Sequence, residues 1–156
     1  MADHPVIGHV HLKVSDLERS IAFYRDVLGL ELQQKFGQEA AFLSWDGYHH
    51  HIGLNVWQSR GGSPPPPRAT GLFHLAILYP NRRSLAAALQ RLVDHGVQIS
   101  GAADHGVSEA IYLNDPDGNG IELYVDRPRE EWPRVNGELA MVSDPLDLDN
   151  LLAELS

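Results

Sequence analysis

The chain repeats itself, and the repeat limits its possible folds more than any other feature. Setting residues 8–16 (GHVHLKVSD) on residues 73–81 (FHLAILYPN), a shift of 65, brings His9 onto His74 and Asp16 onto Asn81. A shift of 69 sets 41–47 (AFLSWDG) on 110–116 (AIYLNDP) and 51–56 (HIGLNV) on 120–125 (GIELYV). Ile52, Leu54 and Val56 then meet Ile121, Leu123 and Val125, and the small difference between the shifts is absorbed by a helix and the turns after it. Self-similarity at a fixed spacing marks a duplicated supersecondary unit, here one copy in each half.

Each half reads βαβββ. Val6 to Val14 alternates, with His9, His11 and Lys13 on one face and Val10, Leu12 and Val14 on the other, as a strand requires. Ser15 and Asp16 are candidate caps, and Leu17, Ile21, Tyr24 and Leu28 stripe a helix over 17–28 that stops at Gly29. Strands follow at 30–36, 40–45 and 50–57. Residues 58–70 carry two glycines and the run PPPP at 64–67, which predicts a stiff, extended joint. The second half repeats the order, with a strand at 72–79, a cap at Asn81, a helix striped by Leu85, Leu89 and Leu92, and strands at 98–102, 110–114 and 120–125. The expected fold class is α+β, with modules 6–57 and 71–126 inside a domain over 1–130. The acidic tail, 131–156, is expected to hold a short helix with Leu148, Leu151, Leu152 and Leu155 on one face, either packed on the surface or making a dimer contact.

Composition narrows the classes of function. The absence of cysteine leaves no disulfide framework, thiolate zinc site or cysteine nucleophile. A formal charge of -9 argues against general nucleic-acid binding, which needs clustered Lys and Arg. No run is long and apolar enough to span a bilayer, and the N-terminal residues lack a secretory pattern, so a cytoplasmic location without membrane or nucleic-acid partners is expected.

Two such modules paired about a pseudo-twofold axis would turn their first and fourth strands toward a common cleft, bringing His9, Gly53, His74 and Glu122 together. Glu122 is an acid inside an apolar strand, and a carboxylate bound to a dication escapes the cost of lone burial. Two imidazoles and one carboxylate with open coordination positions is the arrangement of non-haem Fe(II) oxygenases. Taken singly, His9 and His74 read as ordinary strand histidines, and His11 is the rival ligand on the first strand. By alternation His51 shares a face with Gly53 and stands beside the open position, where a neutral imidazole can accept a proton. The run HHH at 49–51 equally reads as a solvated turn or an adventitious metal site. His105 and Tyr112 are further polar candidates, although Tyr112 also suits an amphipathic core position.

The segments GHVHLKVSDLERSIAFYRDVLGLEL, GYHHHIGLNVW, TGLFHLAILYP and SEAIYLNDPDGNGIELYVDRPR resemble the vicinal oxygen chelate superfamily. That superfamily includes glyoxalase I, fosfomycin and bleomycin resistance proteins and type I extradiol dioxygenases, and the chain looks most like the catechol 2,3-dioxygenases. The resemblance implies a half-barrel domain around a metal, with His9, His74 and Glu122 as ligands. It implies Fe(II), with Mn, Ni or Zn as alternatives, a small aromatic diol and dioxygen as reactants, and a homodimer. It places the dioxygenase catalytic histidine on His51, the dioxygenase tyrosine on Tyr112 and, loosely, a substrate-binding histidine on His105. Glyoxalase I carries a glutamate ligand where this chain has Gly53. The extradiol enzymes usually hold four modules and this chain two, so the cleft forms within one chain or across a dimer. A lyase or isomerase stabilising an enediolate, and a binding protein for an antibiotic or aromatic, are the alternative functions on the same scaffold.

Overall fold

The computed structural model describes residues 3–156 and divides into two compact units, Met1–Ala69 and Thr70–Ser156. The first contains β1 (Val10–Lys13), α1 (Leu17–Ala22), β2 (Glu31–Phe36), β3 (Ala40–Ser44) and β4 (Ile52–Asn55). Its sheet has the order β1-β4-β3-β2, with β1 parallel to β4 and the other pairs antiparallel. The parallel pair follows from the helical crossover between β1 and the hairpin-linked strands.

The Asp16 side chain accepts the Arg19 amide and starts α1. The sequence predicts one α-helix to residue 28, but from Phe23 to Val27 the coil widens into a π turn, with the Leu28 amide donating to the Phe23 carbonyl at 3.2 Å. Gly29, at φ 82°, ends it in the left-handed region that glycine enters without penalty. Ile21, Tyr24 and Leu28 are fully buried with Leu43, Ile52 and Leu54 of the sheet. Of the strand expected over 6–14 only Val10–Lys13 is paired, because β4 offers just four partners. The strand expected over 50–57 is likewise confined to β4.

The second unit contains β5 (Leu75–Tyr79), α2 (Arg82–Asp94), β6 (Ile99–Asp104), β7 (Ser108–Asn114) and β8 (Gly120–Asp126), followed by the short strands β9 (Arg134–Val135), β10 (Glu138–Leu139) and β11 (Asp144–Pro145) and the helix α3 (Leu148–Leu152). Its main sheet runs β11-β6-β7-β8-β5, again with the module's first and fourth strands parallel. The Asn81 carboxamide caps α2 by accepting the Ser84 amide at 2.8 Å, and Leu85, Leu89 and Leu92 bury the predicted stripe. Both modules are therefore βαβββ in an α+β fold.

The joint and the tail differ from expectation. Residues 58–70 turn at both ends, with the Gly62 amide on the Ser59 carbonyl and the Ala69 amide on the Pro66 carbonyl, and residues 62–66 between these turns belong to no helix or strand. The tail adds β11 to the sheet beside β6, which the leucine pattern did not foretell, and of the four tail leucines Leu151 alone is fully buried. Arg82 ties this segment down, pairing with Glu154 at 2.6 Å and Asn150 at 3.1 Å while clamping the buried Glu109 through two bonds. Among the described residues no helix is long and apolar enough to cross a membrane.

Candidate metal-binding site

In the second unit four polar side chains form a chain of contacts. β7 and β8 are antiparallel, and their register sets Tyr112 directly opposite Glu122, while the parallel partner of Glu122 on the other side is the small Ala76. Ile121, Leu123 and Val125 go into the core, so the alternation aims Glu122 and Tyr124 the other way. The Tyr112 hydroxyl donates to Glu122 Oε1 at 3.1 Å, and Glu122 Oε2 faces His74 Nε2 at 3.0 Å. His105 Nε2 lies 2.6 Å from the same hydroxyl, and His105 Nδ1 is 2.9 Å from the Val142 carbonyl. Burial, then the Glu122 charge and its hydrogen bond, push the Tyr112 phenol up to about 12. The group therefore stays protonated, a donor rather than an anion, throughout the neutral range.

The turn before β8 fixes Glu122. The buried Asp115 carboxylate accepts the amides of Asp117 and Asn119 and the Asn119 carboxamide, all within 2.9 Å. Gly120 brings the start of β5 close: a Cβ there would lie 2.3 Å from the Phe73 carbonyl oxygen and 3.1 Å from His74 Cβ. The sequence places Gly120 at the start of the last strand without giving it a role; in the structure it permits the approach that puts His74 on Glu122. A recess of about 370 Å³ opens beside these residues, lined by His74, Tyr112, Phe73 and Ile121 among others, in the size range of small-molecule sites.

The His74–Glu122 pair suits a divalent cation. A bare imidazole nitrogen and a carboxylate oxygen facing each other need a proton or a cation between them. Their 3.0 Å separation matches two adjacent ligands on an octahedral ion with bonds of about 2.1 Å. His74 Nδ1 is buried with no hydrogen-bond partner among the described residues, which is uncommon for a polar atom. Within each unit taken by itself, no third His, Cys, Asp or Glu among the described residues completes a group of three.

The first unit gathers histidines of its own. His9 is exposed just before β1, its ring 4.2 Å from that of His50. His11 lies over Gly53, where an added Cβ would be 2.8 Å from His11 Nδ1. Asn55 Oδ1 accepts the Trp57 amide, so the carboxamide nitrogen points to His11 Nε2 at 2.9 Å and that nitrogen carries no proton. Burial, then the neighbouring His9, lowers the His11 pKa, in keeping with a neutral ring. His51 packs against Trp45 and Tyr48, with Nδ1 accepting the Trp45 amide at 3.3 Å and Nε2 3.9 Å from Asp46. His50, which the sequence did not distinguish from its neighbours, is the member of the triplet that meets His9.

A family model described as the Glyoxalase/Bleomycin resistance protein/Dioxygenase superfamily matches residues 6–123. The chain is 44% identical to a catechol-2,3-dioxygenase of Bacillus subtilis over 95% of its own length, but spans only about half (51%) of that protein. It is 32% identical to biphenyl-2,3-diol 1,2-dioxygenase 3 of Rhodococcus globerulus, covering 86% of this chain and 72% of the relative. More distant relatives include an iron-dependent extradiol dioxygenase of Rhodococcus jostii (29% identity, 75% of this chain, 42% of the relative) and a manganese-dependent 2,3-dihydroxybiphenyl 1,2-dioxygenase of Geobacillus genomosp. 3 (25%, 81% and 38%). Among solved structures, a glyoxalase/dioxygenase from Nostoc punctiforme superposes with a TM-score of 0.65 at 23% identity, over 79% of this chain and 92% of that one, which supports the fold.

Proposed function

The chain belongs to the glyoxalase/bleomycin resistance protein/dioxygenase superfamily, and from that premise we propose that it is a metal-dependent extradiol-type dioxygenase opening the ring of a catechol or a similar ortho-dihydroxy aromatic. The observation that carries this reading is the Glu122 carboxylate, held on one oxygen by Tyr112 and facing the His74 imidazole with the other. On this reading His74 and Glu122, with His9 as the repeat counterpart of His74, hold a divalent cation. Fe(II) is the first choice and Mn(II) the second, in line with the relatives named for each metal. Bound there, the ion supplies Lewis acidity toward a vicinal diol and one-electron chemistry toward dioxygen.

The chain's own groups then have separate tasks. Tyr112 stays a neutral donor and fixes the orientation of Glu122. His105 sets the direction of the Tyr112 hydroxyl, and His51 is the proposed acceptor of a substrate proton. His9 is preferred to His11 as ligand because the Nε2 lone pair of His11 already takes the Asn55 N–H. A glyoxalase-type carboxylate at position 53 would collide with the His11 ring, which disfavours the lyase reading. Simple sequestration of an aromatic compound gives no reason for an acid beside an imidazole.

The test is oxygen uptake by anaerobically purified, Fe(II)-loaded protein given catechols, read with an oxygen electrode and by absorbance of the ring-opened product. Uptake equal to ring opening supports the proposal. Turnover under nitrogen would point to a lyase, and tight aromatic binding without uptake or bound metal to a sequestering protein.

A further inference from the structure

The tail reaches back to His105 in a way that neither the repeat nor the family match, which ends at residue 123, explains. The Val142 amide donates to the His105 carbonyl at 3.1 Å, and the His105 ring returns a bond from Nδ1 to the Val142 carbonyl at 2.9 Å. β11 pairs Asp144 with Asp104 immediately beyond, and Pro133 is seated so closely on Gly106 that a Cβ there would lie 2.6 Å from its ring. The Ala140 amide on the Pro133 carbonyl closes the segment between these points. Thus the tail is fastened on both sides of His105.

A carbonyl oxygen only accepts, so His105 Nδ1 must be the protonated nitrogen of the neutral ring, leaving Nε2 bare. Nε2 lies 2.6 Å from the Tyr112 hydroxyl, which has one proton and two takers, Nε2 and Glu122 Oε1. Were the other tautomer present, Nε2–H would donate to the phenol oxygen and the phenol proton would belong to Glu122 alone. The tautomer of His105 therefore controls how firmly Glu122 is hydrogen-bonded from behind.

We propose that residues 133–145 are a positioning element: by locking His105 as the Nδ1–H tautomer, the tail makes His105 Nε2 compete with Glu122 for the Tyr112 proton, which weakens that hydrogen bond and leaves the carboxylate freer to bind a divalent cation. The consequence for the cation rests on the function proposed above, whereas the tautomer does not. The substrate face of Glu122 is thereby tuned by a backbone carbonyl three contacts away, in the way that outer partners tune metal ligands.

The experiment uses the ¹⁵N-labelled full chain, with histidine ring nitrogens read by long-range ¹H–¹⁵N correlation above the pH at which the rings titrate. The His105 signal is assigned by its loss in H105Q. Wild type should show Nδ1 protonated and Nε2 bare. Val142→Pro removes the amide that anchors the loop, and should yield a mixture containing the Nε2–H form together with manganese(II) binding weaker by about tenfold, the low end for outer-partner substitutions. Val142→Ala keeps the backbone and should match wild type in both measurements. An Nε2–H ring in wild type would overturn the proposal without recourse to any variant. A changed tautomer with unchanged manganese affinity would overturn the link to Glu122. Both results are independent of oxygen uptake, so failure of the dioxygenase assay alone leaves them readable.

Discussion

Gly120→Ala should damage the candidate site through steric contact alone. Gly120 is absent from the positive-φ glycines, so its backbone suits any residue and the cost lies in the added methyl. That carbon would stand 2.3 Å from the Phe73 carbonyl oxygen and 3.1 Å from His74 Cβ, where an ordinary contact needs more than 3.4 Å. The obstacle is backbone just before the neighbouring parallel strand and cannot swing aside as a side chain would. β5 must therefore retreat at its first residues by on the order of 1 Å, with overpacking costing about 1–3 kcal/mol. For a unit the size of 70–156, that corresponds to a fall in Tm of about 5–15 °C if the unit melts as one transition. The same retreat carries His74 away from Glu122 and opens their 3.0 Å contact beyond hydrogen-bonding reach. Circular dichroism melting and metal titration of the variant give the two readouts. Wild-type Tm together with wild-type metal affinity would show that the close approach is not needed.

Other perturbations test separate parts. The Tyr112 phenol, raised in the fold above its free value of 10.0 to about 12, stabilises the protein below pH 10, and that contribution is lost as pH rises through 12; comparing wild type with Y112F by melting across this window, alongside tyrosinate absorbance, should show the gap closing. Arg82→Ala should cost about 3 kcal/mol in urea unfolding, because it strips the buried Glu109 of its two-bond partner and leaves Arg127 at 4.0 Å, while also releasing Glu154 and Asn150 of the tail.

How far these features could be read in advance depended on whether local periodicity carried them. The caps Asp16 and Asn81, the leucine stripe of α2 and the alternation of Ile121, Leu123 and Val125 around Glu122 are all local features, whereas the pairing of β1 with β4 and of β5 with β8 appears only in the structure. The π turn at Phe23–Val27 keeps an apolar spacing close to that of an α-helix, so the sequence did not separate them. His51 shows where periodicity stops informing: it stands just before β4 with its backbone bonded to Leu43 and Val10, and its ring lies on Trp45 and Tyr48, contacts that alternation does not announce. The contacts of Gly120 and Val142 were hidden because both rest on backbone atoms of distant residues. A glycine after a turn and an exposed valine in a tail carry no signal of such partners.

A divalent cation held by Glu122 and its neighbouring imidazole is directly measurable. Metal content per chain, measured after Fe(II) loading and desalting for wild type, E122Q, H74A and H9A, tests it most directly. Wild type should retain a single ion, and each variant should lose it with folding preserved. Full retention by E122Q or H74A would contradict it.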